Sequence, residues 1–308
     1  MSSPQKRTEA LAEDLSQSVS KLRQEASAKN VDSLRITARR LETLVNFRYP
    51  KPSKKQERML AELSGLRKRA GKVRDLDAAA ELLGATGNGS AAMDRRELRL
   101  ALHEKRERQA RRLFTAIGGF EVRKLTEIVF SSDKKNSDKS SDKKSRRVAF
   151  GKQKKEDTPE KDTEETRNPV AQARAELAGL MEEVAASSQK QPGELKPKRL
   201  HQIRVRLKGV RCLAETAAPS QGQQKLPEPL KALEDALEEW HDWQILAKAA
   251  EKQFADRINC PLLVEIRAVF ESKYAAAASV AAHMLAESAA MKRKPRSVGS
   301  EQAVPRQA

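Results

Sequence analysis

Residues 200–211 read LHQIRVRLKGVR, and this stretch decides the fold. At about 100° per residue, its apolar side chains gather on one side of a helix and its positive charges on the other. The apolar side comprises Leu200, Ile203, Leu207 and Val210. The opposite side is a narrow cationic strip comprising His201, Arg204, Lys208 and Arg211. The stretch therefore predicts an amphipathic helix with one buried face and one positively charged face.

The same pattern occurs earlier in the chain, where residues 31–41 read VDSLRITARRL. Apolar residues fall at the same places in the two stretches. The earlier cationic strip comprises Arg35 and Arg39, with Arg40 at its edge. A solvated helix face is the ordinary explanation of such charges. The recurrence of the strip, and the lack of interleaved acids in its later copy, favour a binding surface for a polyanion instead.

A second pair of matching segments supports a repeat. VRDL at residues 73–76 aligns with WHDW at residues 240–243, at nearly the same separation along the chain as the two strips. Two matched segments in the same order predict an internal duplication of a helical unit.

The helical period predicts eight helices, four on each side of a charged segment. They are expected near residues 7–28, 30–47, 54–83, 93–130, 170–188, 196–217, 227–256 and 262–291. Residues 131–168 have almost no apolar side chains, which predicts a disordered linker. The sequence thus predicts an all-α protein of two four-helix bundles, at 1–130 and 169–291, followed by a disordered basic tail at 292–308.

The composition favours an anionic partner. The 308 residues include 61 Lys+Arg against 43 Asp+Glu, a formal charge of +18. Aromatic residues make up 4% of the chain, so the stacking platforms of a single-strand nucleic-acid binder are scarce. No P-loop, zincin or nucleophile-elbow motif occurs, so neither a catalytic residue nor a cofactor is predicted.

The chain carries no sequence signal for export or membrane insertion. Its N-terminus is charged from the start, and no window approaches about 18 consecutive apolar residues. The two cysteines, Cys212 and Cys260, lie far apart, which argues against a disulfide scaffold. We expect a soluble, cytoplasmic protein with no membrane partner.

Taken together, these motifs resemble the CHAD family, the conserved histidine α-helical domain. L-H-x-x-R-V-x-x-K-x-x-R at 200–211, followed by LEEWHDW at 237–243, is similar to the second half of that family. V-x-x-L-R-x-x-x-R-R-L at 31–41, followed by GKVRDLD at 71–77, is similar to its first half. The resemblance implies two bundles related by pseudo-twofold symmetry, with a basic central pocket that binds inorganic polyphosphate without catalysis.

Carried over by position, the resemblance implies seven residues that contact phosphate. They are Arg35, Arg39 and Arg40 in the first copy, and His201, Arg204, Lys208 and Arg211 in the second. Two acids depart from the family pattern: Asp32 stands where the first-half histidine belongs, and Glu42 where a further arginine is usual. Both acids are expected to pair with Arg35 or Arg39 and to weaken the first half of the site.

Five other side chains carry expectations. Arg99, His103 and Arg106 lie on one side of a basic helix and are candidates to extend the pocket, with a solvated face as the alternative. Trp240 and Trp243 are expected to pack in the core.

Two adjacent pairs resemble acid–base dyads. His241 and Asp242 are neighbours, as are Arg74 and Asp75, but adjacent side chains point about 100° apart on a helix. We expect both pairs to be structural, with Asp242 accepting a hydrogen bond from a neighbouring helix.

The sequence thus predicts non-catalytic binding of inorganic polyphosphate, with targeting to polyphosphate granules as one role. The alternative is a nonspecific nucleic-acid-binding protein that uses the same basic surface. A helical scaffold for protein partners is a third interpretation. No oligomeric state is predicted.

Overall fold

The computed structural model of the chain describes residues 4–85, 91–122, 195–217 and 228–293, with isolated positions between 124 and 182. The described residues form seven α-helices and no strand, which confirms the all-α class. The helices are α1 (Pro4–Gln24), α2 (Ala28–Arg48), α3 (Lys54–Ala85), α4 (Ala92–Gly118), α5 (Pro197–Ala217), α6 (Glu228–Gln253) and α7 (Pro261–Arg293). Among them, none is both long and apolar enough to cross a bilayer.

Three helices end earlier than predicted, and one of them is α6, which was expected to reach residue 256 but ends at Gln253. α1 ends at Gln24 because Ser27 caps the next helix, and the Ser27 hydroxyl accepts a hydrogen bond from the backbone N–H of Asn30 at 3.4 Å. α4 was expected to reach residue 130 but ends at Gly118, where two successive glycines have low helix propensity.

Other expectations fall on parts of the chain that the structure does not describe. The predicted helix near 170–188 lies outside the described ranges, apart from a few isolated positions. The predicted linker at 131–168 also lies outside them. The predicted tail was expected to start at residue 292, but α7 continues to Arg293, and the rest of the tail is not described.

The first core joins α1, α2, α3 and α4. Leucines from all four helices are buried in it, among them Leu15, Leu34, Leu63 and Leu113. α3 enters this core through a reciprocal cap. The backbone N–H of Ser53 donates to the side chain of Gln56 at 2.8 Å, and the backbone N–H of Gln56 donates to the Ser53 hydroxyl at 3.4 Å.

A central core joins the two predicted halves of the chain. α3 and α4 contribute Leu83 and Leu98, while α6 and α7 contribute Leu246 and Ile266. All four side chains are buried. α3 therefore packs into the first core with its N-terminal part and into the central core with its C-terminal part.

The third core joins α5, α6 and α7. Leu200 and Leu207 of α5 are buried there, as the apolar pattern of that helix predicts. Trp240 is 0% exposed and packs in this core, and Trp243 packs in the central one. The prediction that both tryptophans pack in the core is confirmed.

α5 also lies against α2 of the first half. Val210 and Leu213 pack beside Phe47 on α2, forming a small apolar contact. Arg40, in the second half of α2, donates to the carboxylate of Glu215 near the end of α5 at 3.0 Å. The two helices that carry the cationic strips are therefore neighbours.

Candidate polyanion-binding groove

Two adjoining cavities, of 460 Å³ and 290 Å³, lie between α2 and α5. They share the side chains of Arg35, Arg39, Lys208 and Glu238. Parts of α3 and α6 also line the larger cavity, and α6 also lines the smaller one. We call the two cavities together the groove.

All seven residues predicted from the sequence line the groove. Those in the larger cavity are Arg35, Arg39, His201, Arg204 and Lys208. Arg40 and Arg211 line the smaller cavity. Since residues 32–39 share the larger cavity with residues 201–208, and Arg40 meets Glu215, α2 and α5 run in the same direction. The two strips therefore face one another along the groove.

The sequence reasoning missed a third source of positive charge, on α3. Arg67, Lys68 and Arg74 line the larger cavity. The sequence does contain a signal for these cations, because Arg67 and Arg74 are two helical turns apart and therefore share one face of the helix. Other basic residues on the same helix, such as Arg69 and Lys72, conceal that signal.

The cations of the later strip are paired with acids, although the strip itself carries no interleaved acid. Glu238 of α6 accepts from Arg204 at 3.1 Å and lies 2.5 Å from the ammonium nitrogen of Lys208. Arg211 donates to Glu234 at 2.9 Å and to Glu215 at 2.7 Å. The acids come from the facing helix and the end of α5, which is why the strip itself shows no interleaved acids.

The two acids that depart from the family pattern take different partners. Asp32 accepts from Arg35, at 2.9 Å from Nε and 2.8 Å from Nη2, as one of the expected pairings. Glu42 was expected to pair with Arg35 or Arg39, but it accepts from Arg67 of α3 at 2.6 Å. Glu42 therefore neutralises a cation from a different helix.

Arg39 differs from the other arginines of the strips. Among the described residues it makes no ion pair or hydrogen bond with an acid. Burial lowers the pKa of Arg39, and so does repulsion from Arg67 and Arg35. Arg39 is thus a partly buried guanidinium held among other cations, in a position shared by both cavities.

Lys208 has an unusually low affinity for its proton. Burial is the main cause, followed by repulsion from Arg204, and together they lower the pKa of Lys208 to about 8 despite the contact with Glu238. Burial alone would raise the pKa of Glu238, but the charges of Lys208 and Arg204 outweigh it and lower that pKa.

His241, Asp242 and Asp75 line the larger cavity, so both adjacent pairs border the candidate site, and their structural role stays a prediction. Burial raises the pKa of Asp75 and raises the pKa of Asp242 to about 6. Burial and the nearby Arg204 lower the pKa of His241 to about 3. Within the described chain, no hydrogen bond to the Asp242 carboxyl is formed, so the expected acceptor role is not seen.

Three buried nitrogen atoms of the larger cavity lack a hydrogen-bond partner among the described residues. They are the Nη1 of Arg74, the Nε of Arg204 and the Nδ1 of His241. Buried polar groups of proteins are nearly always paired. All three atoms belong to residues that line the cavity, and Arg204 Nε is a donor available to an acceptor placed there.

The groove is less basic than its strips suggest. Nine Lys and Arg side chains line it, against seven Asp and Glu side chains. Across the described ranges, no group of three or more His, Cys, Asp or Glu is arranged to hold a metal ion. The groove can therefore offer many donors in a row to an anion, in competition with its own carboxylates.

The candidates to extend the site do not do so. Arg106 of α4 donates to Asp77 at 2.7 Å and to the backbone carbonyl of Ala26 at 3.0 Å, so it ties helices together. Arg99 and His103 are exposed. None of the three lines either cavity of the groove, which favours the solvated-face alternative for Arg99 and His103.

Comparison with known proteins identifies the class to which this fold and groove belong. The family model of the CHAD domain matches residues 8–251, so the chain belongs to the CHAD family. Its fold is similar to that of PptA from Streptomyces chartreusis, with a TM-score of 0.54 and 16% sequence identity, over 92% of this chain and 98% of that one. No match was found among curated protein sequences.

Proposed function

We propose that this protein binds inorganic polyphosphate in the groove between α2 and α5 and catalyses no reaction on it. Membership of the CHAD family supports polyphosphate as the ligand class. A polyphosphate chain offers only acceptor oxygens and repeated negative charge. The arginine forks and lysine ammonium groups of the groove complement both features.

Arg39 is the observation that carries the proposal. A cation that is partly buried, close to two other arginines and without an acid partner in the described chain is unfavourable unless an anion joins it. Arg39 borders both cavities, so a polyphosphate chain bound in either cavity would contact it.

The lining of the groove favours polyphosphate over nucleic acid. Apart from the two histidines, the groove residues of the described chain include no aromatic side chain. Base stacking on aromatic side chains supplies much of the affinity of single-strand binders. Contacts in this groove would be made with phosphates alone.

The test is the binding of long-chain polyphosphate to the wild type and to Arg39→Gln. This substitution removes one donor cation and leaves no carboxylate of the described chain without its partner. Arg99→Gln is the matched control, because Arg99 is an exposed arginine on α4 that loses the same charge. We expect Arg39→Gln to weaken binding about tenfold or more, the typical effect of a charge-assisted hydrogen bond, and the control to change it little.

A second comparison uses Arg204→Ala/Lys208→Ala/Arg211→Ala against Arg96→Ala/Arg99→Ala/Lys105→Ala on α4, with duplex DNA as competitor. The control triple removes the same number of positive charges, from exposed positions outside the groove. Loss of binding in the first triple alone, with poor competition by DNA, supports the groove. Equal binding by the two triples, or efficient competition by DNA, would support the nonspecific nucleic-acid alternative instead.

We further propose that the protein acts in the cytoplasm as a targeting element for polyphosphate granules. A fluorescent fusion should colocalise with stained granules in cells that accumulate polyphosphate. The Arg39→Gln fusion should be diffuse, whereas the Arg99→Gln fusion should still colocalise. Diffuse wild-type fluorescence would argue against the targeting role without affecting the binding proposal.

A further inference from the structure

We propose that Glu238 determines the minimum length of polyphosphate that the groove accepts, by occupying Arg204 and Lys208 where the two cavities meet. This inference rests on the proposed function, because it concerns the same groove. It assigns to Glu238 the role of competing with phosphate for two cations of the groove.

The position of Glu238 is the first argument. Its carboxylate lies on α6 and borders both cavities, as Lys208 does. One carboxylate holds two cations there, with Arg204 at 3.1 Å and Lys208 at 2.5 Å. Both cations of this ion-pair triad are therefore already engaged by Glu238.

The burial of the triad makes opening it unfavourable. The side chains of Arg204 and Lys208 are 12% and 15% exposed, and that of Glu238 is 33% exposed. A phosphate that replaces the carboxylate must separate charges that are largely shielded from water. Removing one partner of such a pair leaves the other charge poorly compensated. A short anion gains a few contacts and must offset that entire penalty.

The length of the groove separates short ligands from long ones. From Asp32 to Arg40, α2 spans about 12 Å at a rise of about 1.5 Å per residue. Three linked phosphates are shorter than this span, so they cannot contact the cations at both ends of the groove. A longer chain reaches Arg74 in the larger cavity and Arg40 in the smaller one. It can contact cations on both sides of the triad without displacing Glu238, so it avoids the penalty that a short anion must offset.

The experiment compares tripolyphosphate with long-chain polyphosphate, each titrated into the wild type, Glu238→Gln and Asp235→Asn. Asp235 is the matched control. It lines the smaller cavity, is exposed and, within the described chain, pairs with no cation, so Asp235→Asn changes the charge of the groove equally. We expect Glu238→Gln to raise the affinity for tripolyphosphate about tenfold and the affinity for the long chain by less than about threefold. Asp235→Asn should raise both affinities slightly and alike.

The proposal is overturned if Glu238→Gln leaves the ratio of the two affinities unchanged, if it weakens tripolyphosphate binding, or if Asp235→Asn reproduces its effect. Should Glu238→Gln fold poorly, Glu238→Asp serves instead. It keeps the charge but is too short to hold both cations well, and an intermediate rise in tripolyphosphate affinity is expected. A wild type that fails to bind even the long chain contradicts the proposed function. If the wild type binds the long chain but the variants keep the same preference for chain length, only this inference is contradicted.

Discussion

Lys208 and Glu238 are in contact at 2.5 Å, yet the contact does not keep the lysine firmly protonated. Burial and the positive charge of Arg204 act against it and place the pKa of Lys208 at about 8. The charge at the junction of the groove is therefore variable within the ordinary range of experimental pH.

Polyphosphate binding should weaken as pH rises through 8. A bound polyanion favours the charged form of Lys208, so binding above pH 8 requires uptake of a proton. Between pH 7 and pH 9.5 we expect the affinity to fall by about tenfold, as measured by titration calorimetry at constant salt. Lys208→Arg keeps its charge throughout this range and should remove most of the decline. An equal decline in Lys208→Arg would show that another group is responsible.

Binding should strengthen as pH falls through 6. Asp242 has a pKa of about 6, raised mainly by burial, and it faces the cavity that would hold phosphate. Below pH 6 it is neutral and no longer repels the ligand. His241 has a pKa of about 3 and stays neutral over this range, so it does not contribute. Asp242→Asn should bind more tightly than the wild type at pH 7.5 and about equally at pH 5.

The same carboxyl should affect stability in a defined direction. The pKa of Asp242 in the folded protein is above its ordinary value, so its contribution to stability is present at low pH and lost as pH rises through 6. The melting temperature of Asp242→Asn relative to the wild type should therefore be higher at pH 7.5 than at pH 4.5. A constant difference between the two proteins across this range would contradict the assignment.

The affinity for polyphosphate should fall steeply with salt, because condensed counterions are released when cations of the groove meet the chain. Arg39→Gln should reduce the slope of log affinity against log salt by about one, as expected for the loss of one phosphate contact. Arg99→Gln should leave the slope unchanged. A wild-type affinity that is independent of salt would exclude electrostatic capture.

The two halves of the chain should unfold together. Leu246 is buried in the central core beside side chains from the first half, such as Leu98. Leu246→Ala should lower the free energy of unfolding by about 2–5 kcal/mol. Tryptophan fluorescence, which reports on Trp240 and Trp243, and far-UV circular dichroism should give coincident denaturation curves. Two separate transitions would indicate that the halves are independent.

The buried and charged faces of the helices could be predicted from the sequence, because helix geometry is local. The period of Leu200, Ile203 and Leu207 identifies the buried side of α5 whatever packs against it. The same reasoning places the two cationic strips, and the predicted duplication suggested that both contribute to one surface. The seven predicted residues therefore share the groove, although their contact with phosphate stays a prediction.

The acids of the groove could not be predicted in the same way. Arg204 and Glu238 are 34 residues apart in the sequence, and Arg40 and Glu215 are 175 apart. Their pairing depends on the register between helices, which hydrophobic periodicity does not specify. The central core was missed for the same reason, because periodicity shows that Leu83 is buried but not that α6 covers it.

The central core also has a consequence for what happens when the chain is divided. Leu83 and Leu98 come from the first half, and Leu246 and Ile266 from the second, so each half alone would leave an apolar surface uncovered. Produced as two separate polypeptides, the halves would recognise one another through that surface, and the groove would be reconstituted only when they reassociate. A cut within residues 131–168 would thus yield two complementary fragments, neither of which contains the whole groove. Their reassociation would restore it, which is the behaviour required of a split reporter.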